Sequence, residues 1–162
     1  MCLPISTGQP DGFKVAYEGG DFKYHIYKKD GEYHFGCSYR ADPKIYDEII
    51  SPDKDVIERW FIVRTGDMYR SYNHLPQILL PCAEDEVKSG YEIVRLAQWS
   101  ATLKWTHSGE QLPMNMNFDG TRCLEVVKYS HVADLPMRDL ARSYLNPAGL
   151  PLMSSYLCAK KS

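Results

Sequence analysis

Asp30-Gly31 stands between two runs of alternating residues, 22–29 and 32–40, and no other feature of the 162-residue chain restricts the fold as much. A two-residue type I′ turn needs φ > 0 at both central positions, which Asp tolerates and Gly adopts freely. Closing the chain there fixes the register. Lys29 faces Glu32, Tyr27 faces His34, Ile26 faces Phe35, Tyr24 faces Cys37 and Phe22 faces Tyr39. One face then carries Phe22, Tyr24, Ile26, Tyr33, Phe35, Cys37 and Tyr39. The other carries Lys23, His25, Tyr27, Lys29, Glu32, His34 and Ser38. So clean a separation predicts a half-buried antiparallel sheet.

The segment 91–105 extends the β reading. On a helical wheel its apolar residues scatter, whereas at period two Tyr91, Ile93, Ala97, Trp99, Ala101, Leu103 and Trp105 align. A strand bent or split near Gln98 is expected. Residues 13–17 read as a short strand, and Ser51-Pro52 as a helix start with Ser51 as cap. That helix is expected to give way to a second hairpin, 60–64 and 68–72, about Thr65-Gly66-Asp67. Asp119-Gly120 predicts another strand pair, 114–118 with 122–129. Met137, Leu140, Ala141, Tyr144 and Leu145 recur at helical spacing, with Asp134 as cap, Pro136 in the first turn and Asn146-Pro147 as the stop.

These elements predict a single domain over 1–162: an irregular arm at 1–12, a β-rich body at 13–129, a helix at 134–146 and a packed tail at 147–162. The fold class is α+β, a mainly antiparallel twisted sheet or partly closed β-barrel with the C-terminal helix packed on it. A hydrophobic content of 44% and a charged content of 25% suit a globular chain. The net charge of −2 gives no electrostatic reason to expect nucleic acid or an anionic membrane as partner. A locally basic N-terminal third, with Lys14, Lys23, Lys28, Lys29 and Arg40, keeps nucleic acid as a minor alternative. Five cysteines at 2, 37, 82, 123 and 158 show no C-x-x-C spacing, so reduced thiols and a soluble, intracellular protein are expected. A cytoplasmic, virion or host-cytosol setting fits equally.

Candidate chemistry concentrates on the polar hairpin face. Tyr27 and His34 lie opposite each other, and His25 sits diagonal to His34 at about 7–8 Å. Two imidazoles so placed could serve as acid and base in phosphodiester cleavage, with Tyr27 beside them. The plainer reading is a solvated strand face. Cys2 could act as an N-terminal nucleophile after removal of Met1, but a loose arm explains it as well. Phosphate loops, nucleophile elbows and metal motifs are missing from the sequence, so neither cofactor nor metal is expected.

Twelve tyrosines and three tryptophans exceed the needs of a core of this size. Tyrosine joins a large apolar face to a polar tip, which suits a binding surface. The favoured class is therefore a small non-enzymatic module acting through protein–protein contacts, as an assembly component or an inhibitor of another protein. One alternative is a hydrolase using His25, His34 and Tyr27. The other is a barrel that holds an apolar ligand against Trp99 and Trp105.

Overall fold

The computed structural model describes residues 21–118 and 124–158, together with the backbone of two short strands, β1 (Leu3–Pro4) and β2 (Val15–Gly19). Asp30 (φ 52°) and Gly31 (φ 85°) form the expected turn. It joins β3 (Phe22–Lys29) to β4 (Glu32–Tyr39), and the register is the one read from the sequence, from Lys29 opposite Glu32 to Phe22 opposite Tyr39. β5 (Asp42–Ser51), β6 (Tyr91–Ala97), β7 (Ser100–Trp105) and β8 (Asn115–Asn117) complete one antiparallel sheet, in the order β1-β2-β3-β4-β5-β8-β7-β6. Its end strands, β1 and β6, do not pair with each other, so the sheet is open.

Because the sheet is open, no barrel interior forms around Trp99 and Trp105. Trp99 is 47% exposed in the β6–β7 turn, and Trp105 packs on Tyr91 with ring centres 4.3 Å apart. Segment 91–105 is folded back at Gln98-Trp99, as its period-two pattern predicts.

The core lies on one face. Phe35 pairs with Ile49, Ile49 with Met116 and Met116 with Ala101, giving a fully buried row across four strands. Two differences from the sequence reading matter here. Tyr39, placed on the apolar face, is 52% exposed. On the polar face, His25, His34 and Ser38 are buried, so the centre of that face is not solvated.

The expected second hairpin at 60–72 is instead part of α1 (Lys54–Tyr72). Asp53 is its cap, accepting from the Asp55 amide at 2.9 Å, two residues beyond the expected Ser51. Ser51 instead accepts from the Asp53 amide at 2.9 Å and donates to the Pro113 carbonyl. Buried Val56, Ile57, Trp60, Val63, Gly66 and Arg70 recur at helical spacing along α1. Thr65-Gly66-Asp67 resembles a turn because Gly66 is needed for another reason. The Tyr144 ring occupies the space a Cβ at Gly66 would take, so only Gly lets the two helices approach this closely.

The expected strand at 122–129 is corrected as well. Its described part forms α2 (Glu125–Ser130). Val126, Val127, Tyr129 and Ser130 are all buried, leaving only Glu125 and Lys128 toward the outside, so the β-branched residues of this short helix imitate a buried strand. α2 packs on β6, β7 and β8, whereas α1 packs on β4 and β5 and along α3 (Met137–Leu145). Helix α3 matches the expected C-terminal helix, with Pro136 rather than Asp134 as its cap. The tail packs down: Met153 is fully buried and Leu157 bridges to Ile78. Most of the 1–12 arm, the Asp119-Gly120 turn, Cys2, Cys123 and residues 159–162 lie outside the described residues. Cys37 is buried, Cys82 half-buried and Cys158 exposed.

Replacing Gly66 by Ala is expected to cost about 1–3 kcal/mol in overpacking and to leave the protein less stable. This loss should exceed the ~1 kcal/mol that Ala normally contributes over Gly inside a helix. Urea denaturation of the two proteins measures it. A more stable variant would show that the α1–α3 approach is not tight.

Candidate functional site

The site begins where the sheet parts. β5 meets β8 only through the Ile49–Met116 and Ile50–Asn115 pairs. Its first half therefore has β4 on one side and, among the described residues, no strand on the other. The gap is a cleft of about 480 Å³. Tyr39 and Tyr46, 52% and 43% exposed, stand along the β4–β5 side with ring centres 6.3 Å apart. Asn117, Phe118 and Glu125 contribute from the end of β8 and the start of α2.

A bulge aims β5 into this gap. The β4–β5 register shifts between Phe35 and Gly36 and again between Cys37 and Tyr39. Gly36 permits the close approach, since a Cβ there would fall 2.9 Å from the Asp47 Cα. The result places Asp42, Tyr46, Asp47 and Glu48 around the cleft.

Each of these side chains is held. The Tyr46 hydroxyl donates to Asp42 at 2.6 Å, which lowers the Asp42 pKa and raises that of Tyr46. Asp47 accepts from the Tyr27 hydroxyl at 2.6 Å through one oxygen and lies 3.1 Å from His34 Nδ1 through the other. Burial, reinforced by that bond to Asp47, pushes the Tyr27 phenol above its ordinary value. Asn117 donates to the Asp47 carbonyl at 3.0 Å, tying the two sides of the cleft together. Glu48 accepts from Trp60 Nε1 at 3.0 Å and from Arg64 Nη2 at 3.1 Å. Arg64 Nε lies 3.0 Å from the same carboxylate, close enough for ion pairing though off the hydrogen-bond axis. Burial disfavours the Arg64 charge, but Glu48, Tyr24 and Asp67 together outweigh it and the guanidinium pKa rises.

The sequence-predicted residues sit behind the cleft. His34 and Tyr27 stack, with ring centres 4.7 Å apart and 16° between planes, and share Asp47. His25 turns to Ser38, with Nε2 2.7 Å from the hydroxyl. Sequence reasoning overlooked Asp42, Tyr46, Asp47, Glu48, Arg64 and Glu125. The tyrosine surplus was the one signal that pointed toward any part of this surface.

A family model described as Immunity protein 61 matches residues 5–152. Curated proteins provide no match. Among solved structures, Rv3902c from M. tuberculosis is similar at 25% identity, with a TM-score of 0.67 over 87% of this chain and 78% of that one. Its likeness supports the α+β arrangement of an open antiparallel sheet with a C-terminal helix. No described helix is long and apolar enough to cross a membrane.

Beside Arg64 on α1, Asp67 is pushed up to about 6 by burial, against the opposing pull of Arg64, Lys128 and Arg70. An unfolded Asp titrates near 3.9. Between these values the folded chain holds the proton and the unfolded chain does not, so this group's contribution to stability falls as pH rises from about 4 to about 6. Asp67→Asn should therefore gain on the parent by about 1–3 kcal/mol between pH 4.5 and pH 7.5. Urea midpoints of both proteins at the two pH values give the comparison. An unchanged difference would contradict the assignment.

Proposed function

The chain belongs to the immunity protein 61 family, an inhibitor-type group that acts by binding another protein, and we propose that its partner is a toxin which it neutralises by covering the toxin's working surface. The family match over 5–152 carries this reading. The place of contact is the cleft between β5 and α2, with Tyr39 and Tyr46 as anchors. Exposed tyrosines on a fixed backbone give large contact area while losing few rotamers. Hot spots of this kind cost about 2 kcal/mol or more when truncated. Asp42 already fixes the Tyr46 hydroxyl, so that ring loses little freedom on binding.

The test begins with capture of a stoichiometric partner by the tagged chain in its native cells. Production of that partner alone in a second host should arrest growth, and production of both should restore it. Tyr39→Ala with Tyr46→Ala should weaken the complex by about 30-fold or more and reduce protection, with folding intact because both rings are exposed. A harmless partner would overturn the toxin reading. Full protection by the double variant would remove the tyrosines from the contact.

A second reading, hydrolysis using His25, His34 and Tyr27, draws on Asp47, whose carboxylate orients His34 while accepting from Tyr27. Both imidazoles are buried, at 6% and 7% exposure, so substrate access would require movement. On this reading His34→Gln lowers phosphodiester turnover by roughly 10²-fold. A purified parent chain without turnover on generic phosphodiester substrates would remove it.

A further inference from the structure

We infer that the cleft receives an arginine-bearing, basic segment of the bound partner, seated between Tyr39, Tyr46 and the Glu125 carboxylate. The inference rests on the binding role proposed above and adds the chemistry of what is bound. Four carboxylates line the cleft, Asp42, Asp47, Glu48 and Glu125, against one guanidinium, Arg64. That guanidinium is already engaged by Glu48. Even with Lys44 at the mouth and Lys128 beside Glu125, carboxylates outnumber cations, so an anionic ligand would be repelled and a cationic one favoured.

Glu125 is the group left incomplete. It stands half-buried at the start of α2, and among the described residues it makes no ion pair and no side-chain hydrogen bond to another residue. Burial raises its pKa, with Lys128 opposing from the next turn. A half-buried carboxylate whose one donor is its own backbone amide gains most from an arriving N–H group that also carries charge. Arginine fits better than lysine, because its planar fork can bond a carboxylate while its face lies on an aromatic ring. This fold already uses that contact: Arg64 lies over Tyr24 at 5.5 Å and Arg95 over Phe118 at 5.1 Å. Lys44 covers Tyr46 at 5.2 Å, so the exposed rings at the cleft mouth accept cations as well.

The cleft is more than an acidic patch, because its shape and its rings select for the same ligand as its charge. Depth admits a side chain, exposed tyrosines supply stacking faces, and Glu125 supplies the terminal acceptor.

The probe is a capped Gly-Arg-Arg-Gly peptide, titrated into the full chain at low salt and followed by amide chemical shifts. Shifts should concentrate at Tyr39, Tyr46, Asp47, Asn117 and Glu125. Glu125→Gln should weaken binding about fivefold or more, and so should Asp42→Asn. The spectra of both variants report whether each is folded. Raising salt from about 20 to 300 mM should weaken binding further. A Gly-Glu-Glu-Gly peptide should produce no shifts at these positions. Arginine-peptide shifts elsewhere, no binding at all, or undiminished binding by Glu125→Gln would each overturn the inference. A toxin still neutralised when the peptide fails would leave the proposed function standing. A captured partner that proves harmless while the peptide binds would remove that function and keep the cleft's chemistry.

Discussion

The guanidinium of Arg70 is fully buried and, among the described residues, bonds to backbone carbonyls alone: Pro76, Ser143, Tyr144, Asn146 and Pro147 all accept from it, at 2.6–3.3 Å. Sealing a cation away from water is expensive unless its donors are satisfied. Here the acceptors include the last carbonyls of α3, where the helix dipole is negative and leaves C=O groups unpaired. One side chain thus completes the end of α3, the loop after α1 and the start of the tail. It also fixes α3 along α1, which brings Tyr144 onto Gly66. Helix α1 is then held at a single rotation, with Trp60 and Arg64 both directed at Glu48.

That rotation joins the helical layer to the site. Glu48 belongs to β5, the strand that parts from its neighbour, and its carboxylate meets an indole and a guanidinium from α1. Without α1 in this position, the first half of β5 would have support from β4 alone. The β5 bulge at Glu48, beside Gly36, supplies the complementary half of the geometry. It brings the Asp47 side chain to Tyr27 and His34, and Asn117 spans the gap to the Asp47 carbonyl. The cleft is therefore a rigid opening in the sheet, bounded on both sides by hydrogen bonds.

How much of this could be read from the chain depended on sequence distance. The hairpin's turn and register were legible, because they are local properties of 22–40, whereas the burial of His25, His34 and Ser38 depends on packing from outside it. The C-terminal helix was legible through its 3.6-residue period. Helix α1 was misread because Gly66 has a purpose 78 positions away, at Tyr144, that no local pattern announces. Helix α2 was misread because tertiary burial overrides the periodicity that normally marks a helix. The site was the least legible part, since Tyr39, Glu48, Arg64 and Glu125 meet only after four elements have packed. The tyrosine count pointed to a binding surface without locating it.

The polar hairpin face changes meaning once this packing is known. Read alone, His25, Tyr27 and His34 invite a catalytic interpretation. In the folded protein Tyr27 and His34 hold Asp47, just as Trp60 and Arg64 hold Glu48 and Tyr46 holds Asp42. Three of the four cleft carboxylates are thereby fixed before any partner arrives, which lowers the ordering cost of binding. Such preorganisation suits recognition of a macromolecule, where affinity is limited by the freedom lost on docking. Glu125 lacks a comparable partner, and its environment is the one that a bound cation would alter most.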